Sequence, residues 1–158
     1  MKKITYLKGD ATAPITEGNK IIVHICNDIG GWGKGFVLAI SKKWKAPEKS
    51  YRDWYKNRVE NDFSLGNIQV IKVTEGIFIG NMIAQQGLKF KNNIVPIRYD
   101  AVTDCLNKIA IEAKELKASI HMPRIGCGLA GGKWEEIEPI ITETLLKENL
   151  EVYVYDFE

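Results

Sequence analysis

A three-layer α/β/α sandwich around a mixed, mostly parallel central sheet is the fold class this sequence predicts, and two observations predict it. Short β-branched runs alternate along the chain with stretches of helical periodicity, the pattern of a sheet covered by helices on both faces. One of those runs, Ile21–Cys26, is almost unbroken in its apolar character, as suits a strand buried on both faces.

The elements follow in order. Ile4–Leu7 reads as a first strand that ends at Gly9-Asp10, and Ile21–Cys26 as the second. The turn Gly30-Gly-Trp-Gly-Lys-Gly35 leads into a helix over Phe36–Lys43, and a further helix covers Pro47–Asn57. Ile68–Val73 and Ile77–Met82 are strands joined through Thr74-Glu75-Gly76, a hairpin-like turn. Ala101–Leu116 sets Val102, Leu106, Ile109, Ala110, Ala113 and Leu116 at helical spacing. Ile120–Pro123 is a strand, Trp134–Glu148 a helix and Val152–Phe157 a last strand. No linker, repeat or low-complexity tract interrupts the series, so one domain over residues 1–158 is expected.

Composition narrows the class. A chain of 158 residues can bury one substantial core without metal or disulfide staples. Its 45% hydrophobic and 27% charged residues are those of an average globule. The net charge is +2, with basic and acidic residues interspersed, and no basic stripe of the kind a duplex binder uses stands out. Three cysteines far apart (Cys26, Cys105, Cys127) point to a reducing compartment. Met1-Lys2-Lys3 runs straight into Ile4 with no signal-peptide apolar region, and nothing approaches the roughly 20 apolar residues of a membrane span. The expectation is a cytoplasmic monomer that uses no membrane. His24, His121 and the scattered acids match no ligand spacing, so no metal and no other cofactor is expected.

The chemistry gathers in His121-Met-Pro-Arg-Ile-Gly-Cys-Gly-Leu-Ala-Gly-Gly-Lys-Trp134. Gly126, Gly128, Gly131 and Gly132 remove Cβ atoms where backbone amides must approach something bulky, and a helix starting just after adds its positive end. That combination cradles phosphate. A Walker A loop fails, because Trp134 follows Gly132-Lys133 and Cys127 stands at the first position. A cysteine-phosphatase loop fails too, because Lys133 stands where an arginine fork is needed. Gly126, Gly128 and Gly131 satisfy the Rossmann spacing, yet too little chain follows for a βαβ array. Ligands of such sheets sit outside the carboxyl ends of the strands. Those ends carry Asp10-Ala11, Asn27-Asp28 with the Gly30–Gly35 turn, the Gly126–Gly132 turn, and Tyr155-Asp156-Phe157, a set suited to a nucleoside diphosphate.

Lys8-Gly9-Asp10, His24-x-x-Asn27, Gly33-x-Gly35 and Pro123-Arg-Ile-Gly-Cys-Gly-Leu129 together resemble the macro domain family of ADP-ribose-binding modules. The resemblance covers essentially the whole chain, and with Trp134 it looks most like the branch of ADP-ribose-1″-phosphate phosphatase and terminal ADP-ribose glycohydrolase. It implies that Asp10 accepts the adenine amino group, that the Ala11 amide meets the ring and that Phe157 sits at the adenine edge. Asn27 would orient the distal ribose, with Gly33, Lys34 and Gly35 around it and Ala84 lining its pocket. Arg124, Ile125, Gly126, Cys127, Gly128, Leu129 and Ala130 would hold the diphosphate, mainly through backbone amides. ADP-ribose, its derivatives and ADP-ribosylated macromolecules are the implied partners.

Two departures bear on mechanism. The glycohydrolase branch uses a lysine where this chain has Gln85 and an acid where it has Ala130. An amide forms no Schiff-type intermediate and a methyl is no base. Lys89 and Lys91 are the nearest lysines that could substitute. The phosphatase branch fits better, since its His24-x-Cys26-Asn27-x-x-Gly-x-Trp32-Gly-x-Gly35 turn is complete. His24 and Asp28 are then the candidates for the base that activates water. Two classes of function follow: a hydrolase of an ADP-ribose derivative, most directly ADP-ribose-1″-phosphate and alternatively ADP-ribose on modified protein or nucleic acid, or a reader that binds without turnover.

Overall fold

The structure, a computed structural model, describes residues 2–88 and 94–157. Six strands form one sheet: β1 (Thr5–Lys8), β2 (Lys20–Asn27), β3 (Ile68–Thr74), β4 (Ile77–Gln85), β5 (Ser119–Met122) and β6 (Val152–Asp156). Their order across the sheet is β1-β6-β5-β2-β4-β3. Every neighbouring pair is parallel except β3 with β4, the hairpin at one edge. Helices α1 (Phe36–Lys43), α2 (Ala46–Lys56), α3 (Tyr99–Leu116) and α4 (Trp134–Thr144) complete the layers. The fold is the three-layer α/β/α sandwich with a mixed, mostly parallel sheet.

β2 lies at the centre because its sequence allows it to. Ile21 and Val23 turn to one face and pack with Leu106, Ile109 and Ile137 of α3 and α4. Ile22 and Cys26 turn to the other and pack with Val37, Ile40, Tyr51 and Trp54 of α1 and α2. The period of two along a strand thus feeds two cores at once. A register shift between Cys26 and Asn27 leaves Ala84 of β4 without a partner on β2. The last helix is shorter than its periodicity predicts: α4 stops at Thr144, a 3₁₀ turn covers Leu146–Glu148, and Asn149 closes it in a left-handed conformation. β4 runs three residues past the expected Met82, carrying Gln85 to the carboxyl edge of the sheet.

Gly80 marks a close approach between sheet and helix. A Cβ there would lie 3.0 Å from both Ile109 Cδ1 and Val23 Cγ1. Gly80→Val should therefore lower stability by about 1–3 kcal/mol through overpacking. Urea unfolding should show a lower midpoint at an unchanged slope; an unchanged midpoint would contradict the packing described.

Candidate functional site

A cleft of about 650 Å³ opens at the carboxyl ends of β2, β4 and β5. One wall is the β2–α1 loop with the start of α1; the other is Pro123–Ala130 after β5. The two walls face each other closely, since a Cβ on Gly35 would stand 3.7 Å from Leu129 Cδ1.

The first wall is shaped by Asn27. Its Oδ1 accepts from the amides of Ile29 (3.1 Å) and Gly31 (2.9 Å), and its Nδ2 donates to the Gly31 carbonyl (3.0 Å). The hydroxyl of buried Tyr51 donates to the Asn27 carbonyl at 2.6 Å and lies 2.9 Å from Oδ1. Trp32 pins the next part of the loop, buried among the α1–α2 side chains with its Nε1 donating to Ser41 Oγ at 2.7 Å. The chain then reaches Gly35, which caps α1 at φ 85° with no side-chain bond to the first turn. Among the described residues, the amides of Gly35, Phe36 and Val37 have no partner, so α1 presents its positive end to the cleft.

The second wall divides its glycines by task. A Cβ on Gly132 would lie 2.5 Å from the Gly126 carbonyl oxygen, which accepts the Gly132 amide at 2.7 Å, so Gly132 is needed for closure of the turn. Gly128 has no atom within 4 Å of a Cβ position and lines the cleft, so a side chain there would enter the open space. The amides of Gly128, Leu129 and Ala130 carry no hydrogen bond among the described residues. The helix that follows is not part of the wall. Lys133 donates its amide to the Tyr99 hydroxyl at 3.1 Å, and neither it nor Trp134 lines the cleft. The helix start that lines the cleft is that of α1, not of α4 as expected.

Several residues expected at the site take places in this cleft. Asn27, Gly33, Lys34 and Gly35 line one side. Arg124, Ile125, Gly126, Gly128, Leu129 and Ala130 line the other. The Arg124 fork is already engaged: it is bidentate to Asp156 at 2.6 and 3.0 Å and lies over the Tyr6 and Trp134 rings. Cys127 is outside the lining; its Sγ contacts the Ile125 carbonyl and burial pushes its thiol pKa up. Ala84 is also outside. It is fully buried toward α3, and its carbonyl accepts the Arg98 amide, so the neighbouring Gln85 takes the place at the cleft.

The two expected bases are placed differently from their assigned roles. His24 reaches the cleft floor but is 1% exposed, with Nε2 2.6 Å from Asn81 Oδ1 and the Trp32 ring edge-on at 5.3 Å. Asn81 donates its Nδ2 to Pro47 and Gln69, so its oxygen is the acceptor and His24 is the Nε2–H tautomer. Burial drives the His24 pKa down to about 4, despite the Asn81 bond. Asp28 does not line the cleft; its Oδ1 accepts the Gly87 amide at 2.9 Å and ties the loop after β4 to the end of β2. Lys89 and Lys91 lie outside the described residues.

Asp10, Ala11 and Phe157, also expected at the site, are not among the cleft-lining residues and follow the adjoining ends of β1 and β6. The Gly9 amide donates to the Asp156 carbonyl at 2.9 Å, which sets the ends of β1 and β6 side by side. Asp10 Oδ1 accepts from the amide and hydroxyl of Thr12 at 2.8 and 2.7 Å. Burial opposes ionisation of Asp10, but these bonds and Lys43 hold its carboxyl below the usual range. Ala11 is buried and Phe157 is 81% exposed. Phe36, Leu88 and Pro123 also line the cleft and were not expected. The signal for Phe36 was its place directly after Gly33-x-Gly35.

No family model matches the chain. Similarity to individual proteins is extensive. The chain is 31% identical to mouse chromodomain-helicase-DNA-binding protein 1-like over 98% of its own length. It spans only 18% of that protein and 15% of the zebrafish counterpart. It is 29% identical to the ADP-ribose 1″-phosphate phosphatase of Candida albicans, covering 96% of this chain and 98% of the enzyme. Human ADP-ribose glycohydrolase OARD1 is 26% identical, with 97% and 91% covered. Among solved structures, a Bacteroides thetaiotaomicron protein of unknown function is 58% identical with a TM-score of 0.94, covering 98% of each chain. A Streptomyces coelicolor macrodomain protein is 49% identical with a TM-score of 0.88, covering 98% of this chain and 99% of that one. A mixed sheet flanked by helices, with two glycine loops facing across its carboxyl edge, is an α/β module built to hold an anionic ligand. The chain belongs to the macrodomain family.

The buried histidines make a pH prediction. His121, bonded to Tyr155 and Ser119 at 2.7 Å each, is likewise driven by burial to a pKa of about 4. Both folded values lie below the ordinary value of about 6.5, so the unfolded chain takes up protons that the folded one refuses. Stability should be fully present above about pH 6.5 and fall as pH drops toward 4, by about 2 kcal/mol per histidine between pH 7 and pH 5. Urea midpoints at those two pH values check this, and His24→Gln should remove about half of the dependence. No change between them would contradict the burial of both rings.

Proposed function

We propose that the cleft binds ADP-ribose and that the protein hydrolyses an ADP-ribose derivative, ADP-ribose-1″-phosphate first among them. The observation that carries this reading is the pair of amide walls: the uncapped start of α1 on one side and Gly128–Ala130 on the other. Unpaired amides aimed into one cleft bind phosphate oxygens without any cationic side chain. The diphosphate lies between the walls, the distal ribose at Asn27 and Gly33–Gly35, and the adenine toward Asp10, Ala11 and Phe157. Asp10 keeps its second carboxylate oxygen for the adenine amino group, because Thr12 occupies only the first. The names of the Candida phosphatase and of human OARD1 support a hydrolase within this family.

The chemistry follows from what lines the cleft. Neither Asp nor Glu is among the described lining residues, and His24 is engaged beneath them. A phosphate monoester needs little covalent help: water attacks phosphorus, the P–O bond to C1″ breaks, and stabilised charge on the oxygens lowers the barrier. A phosphate oxygen of the substrate takes the proton of the attacking water and passes it to the departing C1″ oxygen, so that ADP-ribose leaves with a free hydroxyl. The amides near Gly33–Gly35, around the distal ribose, then hold the departing inorganic phosphate, with Lys34 at the rim. The same lack of a lining carboxylate favours a second reading, a reader that holds ADP-ribose on proteins or nucleic acids without turnover.

Incubation with ADP-ribose-1″-phosphate and colorimetric phosphate detection separates the two. The hydrolase reading predicts phosphate release; binding of the substrate with no release makes the protein a reader. Gly128→Val should lose ADP-ribose binding in calorimetry by tenfold or more, roughly 1.4 kcal/mol, while its urea midpoint stays near that of the parent. Retained affinity in that variant would remove the second wall from the site.

A further inference from the structure

Outside the cleft, the charge of the molecule is sharply divided. Residues 38–58 hold seven basic side chains and two acidic ones, whereas α4 carries Glu135, Glu136, Glu138 and Glu143 and no base. The near-neutral total conceals this, and residues that look interspersed along the sequence line up once α2 forms. Lys45, Lys49, Arg52 and Lys56 are spaced by four, three and four residues, which at 3.6 residues per turn puts them within an arc of about 60°. All four are exposed, and the buried side of the same helix is Pro47, Tyr51 and Trp54. Lys45 and Lys56 make no ion pair among the described residues; Lys49 pairs with Asp53 and Arg52 with Glu48 on the helix flank. The stripe adjoins the cleft, because Arg52 Nη1 donates to the Gly30 carbonyl at 3.2 Å, in the loop that forms the first wall.

We infer that this face of α2 is a docking surface for the sugar–phosphate backbone of a nucleic acid strand. The charges run over about 16 Å of helix, a length that spans about five phosphates of a stacked strand. Regular, solvated cations on a rigid element suit a repeating anion, and no aromatic side chain on this stripe reads bases, so binding is sequence-independent. A membrane surface is the poorer match. A helix that lies in a bilayer interface inserts an apolar face, and the apolar face of α2 is already packed against the sheet. This surface is distinct from the proposed ADP-ribose site and does not depend on that assignment.

The test is fluorescence anisotropy with a labelled oligothymidylate of about 20 nucleotides and the full chain. With four phosphate contacts, log affinity should fall with log salt at a slope of about −2.8, or roughly fifty-fold between about 50 and 200 mM salt. The triple variant Lys45→Ala, Lys49→Ala, Lys56→Ala should bind at least tenfold more weakly at the lower salt, with a slope near about −0.7. Its urea midpoint, matching that of the parent, reports that the variant is folded. Failure of the parent to bind the oligonucleotide overturns the inference, as does a triple variant with parental affinity and slope. Salt-sensitive self-association without oligonucleotide, lost in the triple variant, also overturns it, because the acidic α4 of a second copy would then be the occupant. Binding of inorganic polyphosphate with no binding of the oligonucleotide overturns it in favour of a phosphate polymer.

Discussion

The site depends on the hydrogen bonds that close around Asn27. This side chain sits where β2 leaves the sheet and uses both polar atoms to fold the next four residues back on themselves, with the Tyr51 hydroxyl fixing the turn from below. The turn delivers Trp32 into the α1–α2 core, and Trp32 in turn sets the direction in which Gly35 opens α1. Without that sequence of constraints, the amides at the start of α1 would have no fixed aim. The resemblance had assigned Asn27 to the distal ribose; the structure spends most of its hydrogen-bonding capacity on the loop, leaving one Nδ2 hydrogen for a ligand.

The same economy of side chains runs through the rest of the cleft. Arg124 is bound to Asp156, Asp28 to the Gly87 amide, and His24 to Asn81. Polar side chains close to the site are consumed in holding loops and strand ends, and the backbone is left to face the ligand. Such a site is preorganised: its donors are fixed by folding, so little reorganisation accompanies charge development on a phosphate. It also explains why small residues suffice on the second wall, where Gly128 and Ala130 lend amides.

Much of this was legible in the sequence. Unbroken apolar character placed β2 at the centre, and glycine density marked both walls. What escaped the sequence was direction. Ala84 and Gln85 are neighbours in β4, and only the register shift opposite Ala84 and the α3 packing show that Gln85 takes the cleft. The sequence points to the helix after the second glycine loop as the one facing the ligand, but that helix begins beyond a turn closed by Gly132, and the helix whose start lines the cleft is the one after the first loop. His24 lies in a strand whose alternation puts Ile22 and Cys26 toward α1 and α2, and the ring follows them into the packed layer. The basic stripe of α2 is invisible in net charge because acidic residues of α4 offset it in the total.

In the proposed function, two sets of backbone amides receive the ligand, at the start of α1 and at Gly128–Ala130. Amide chemical shifts followed by NMR during titration with ADP-ribose test it most directly. The largest changes should fall at Gly35, Phe36, Val37, Gly128, Leu129 and Ala130, with Lys133 and Trp134 little affected. Saturable binding that moves Lys133 and Trp134 while leaving the start of α1 unchanged would contradict it.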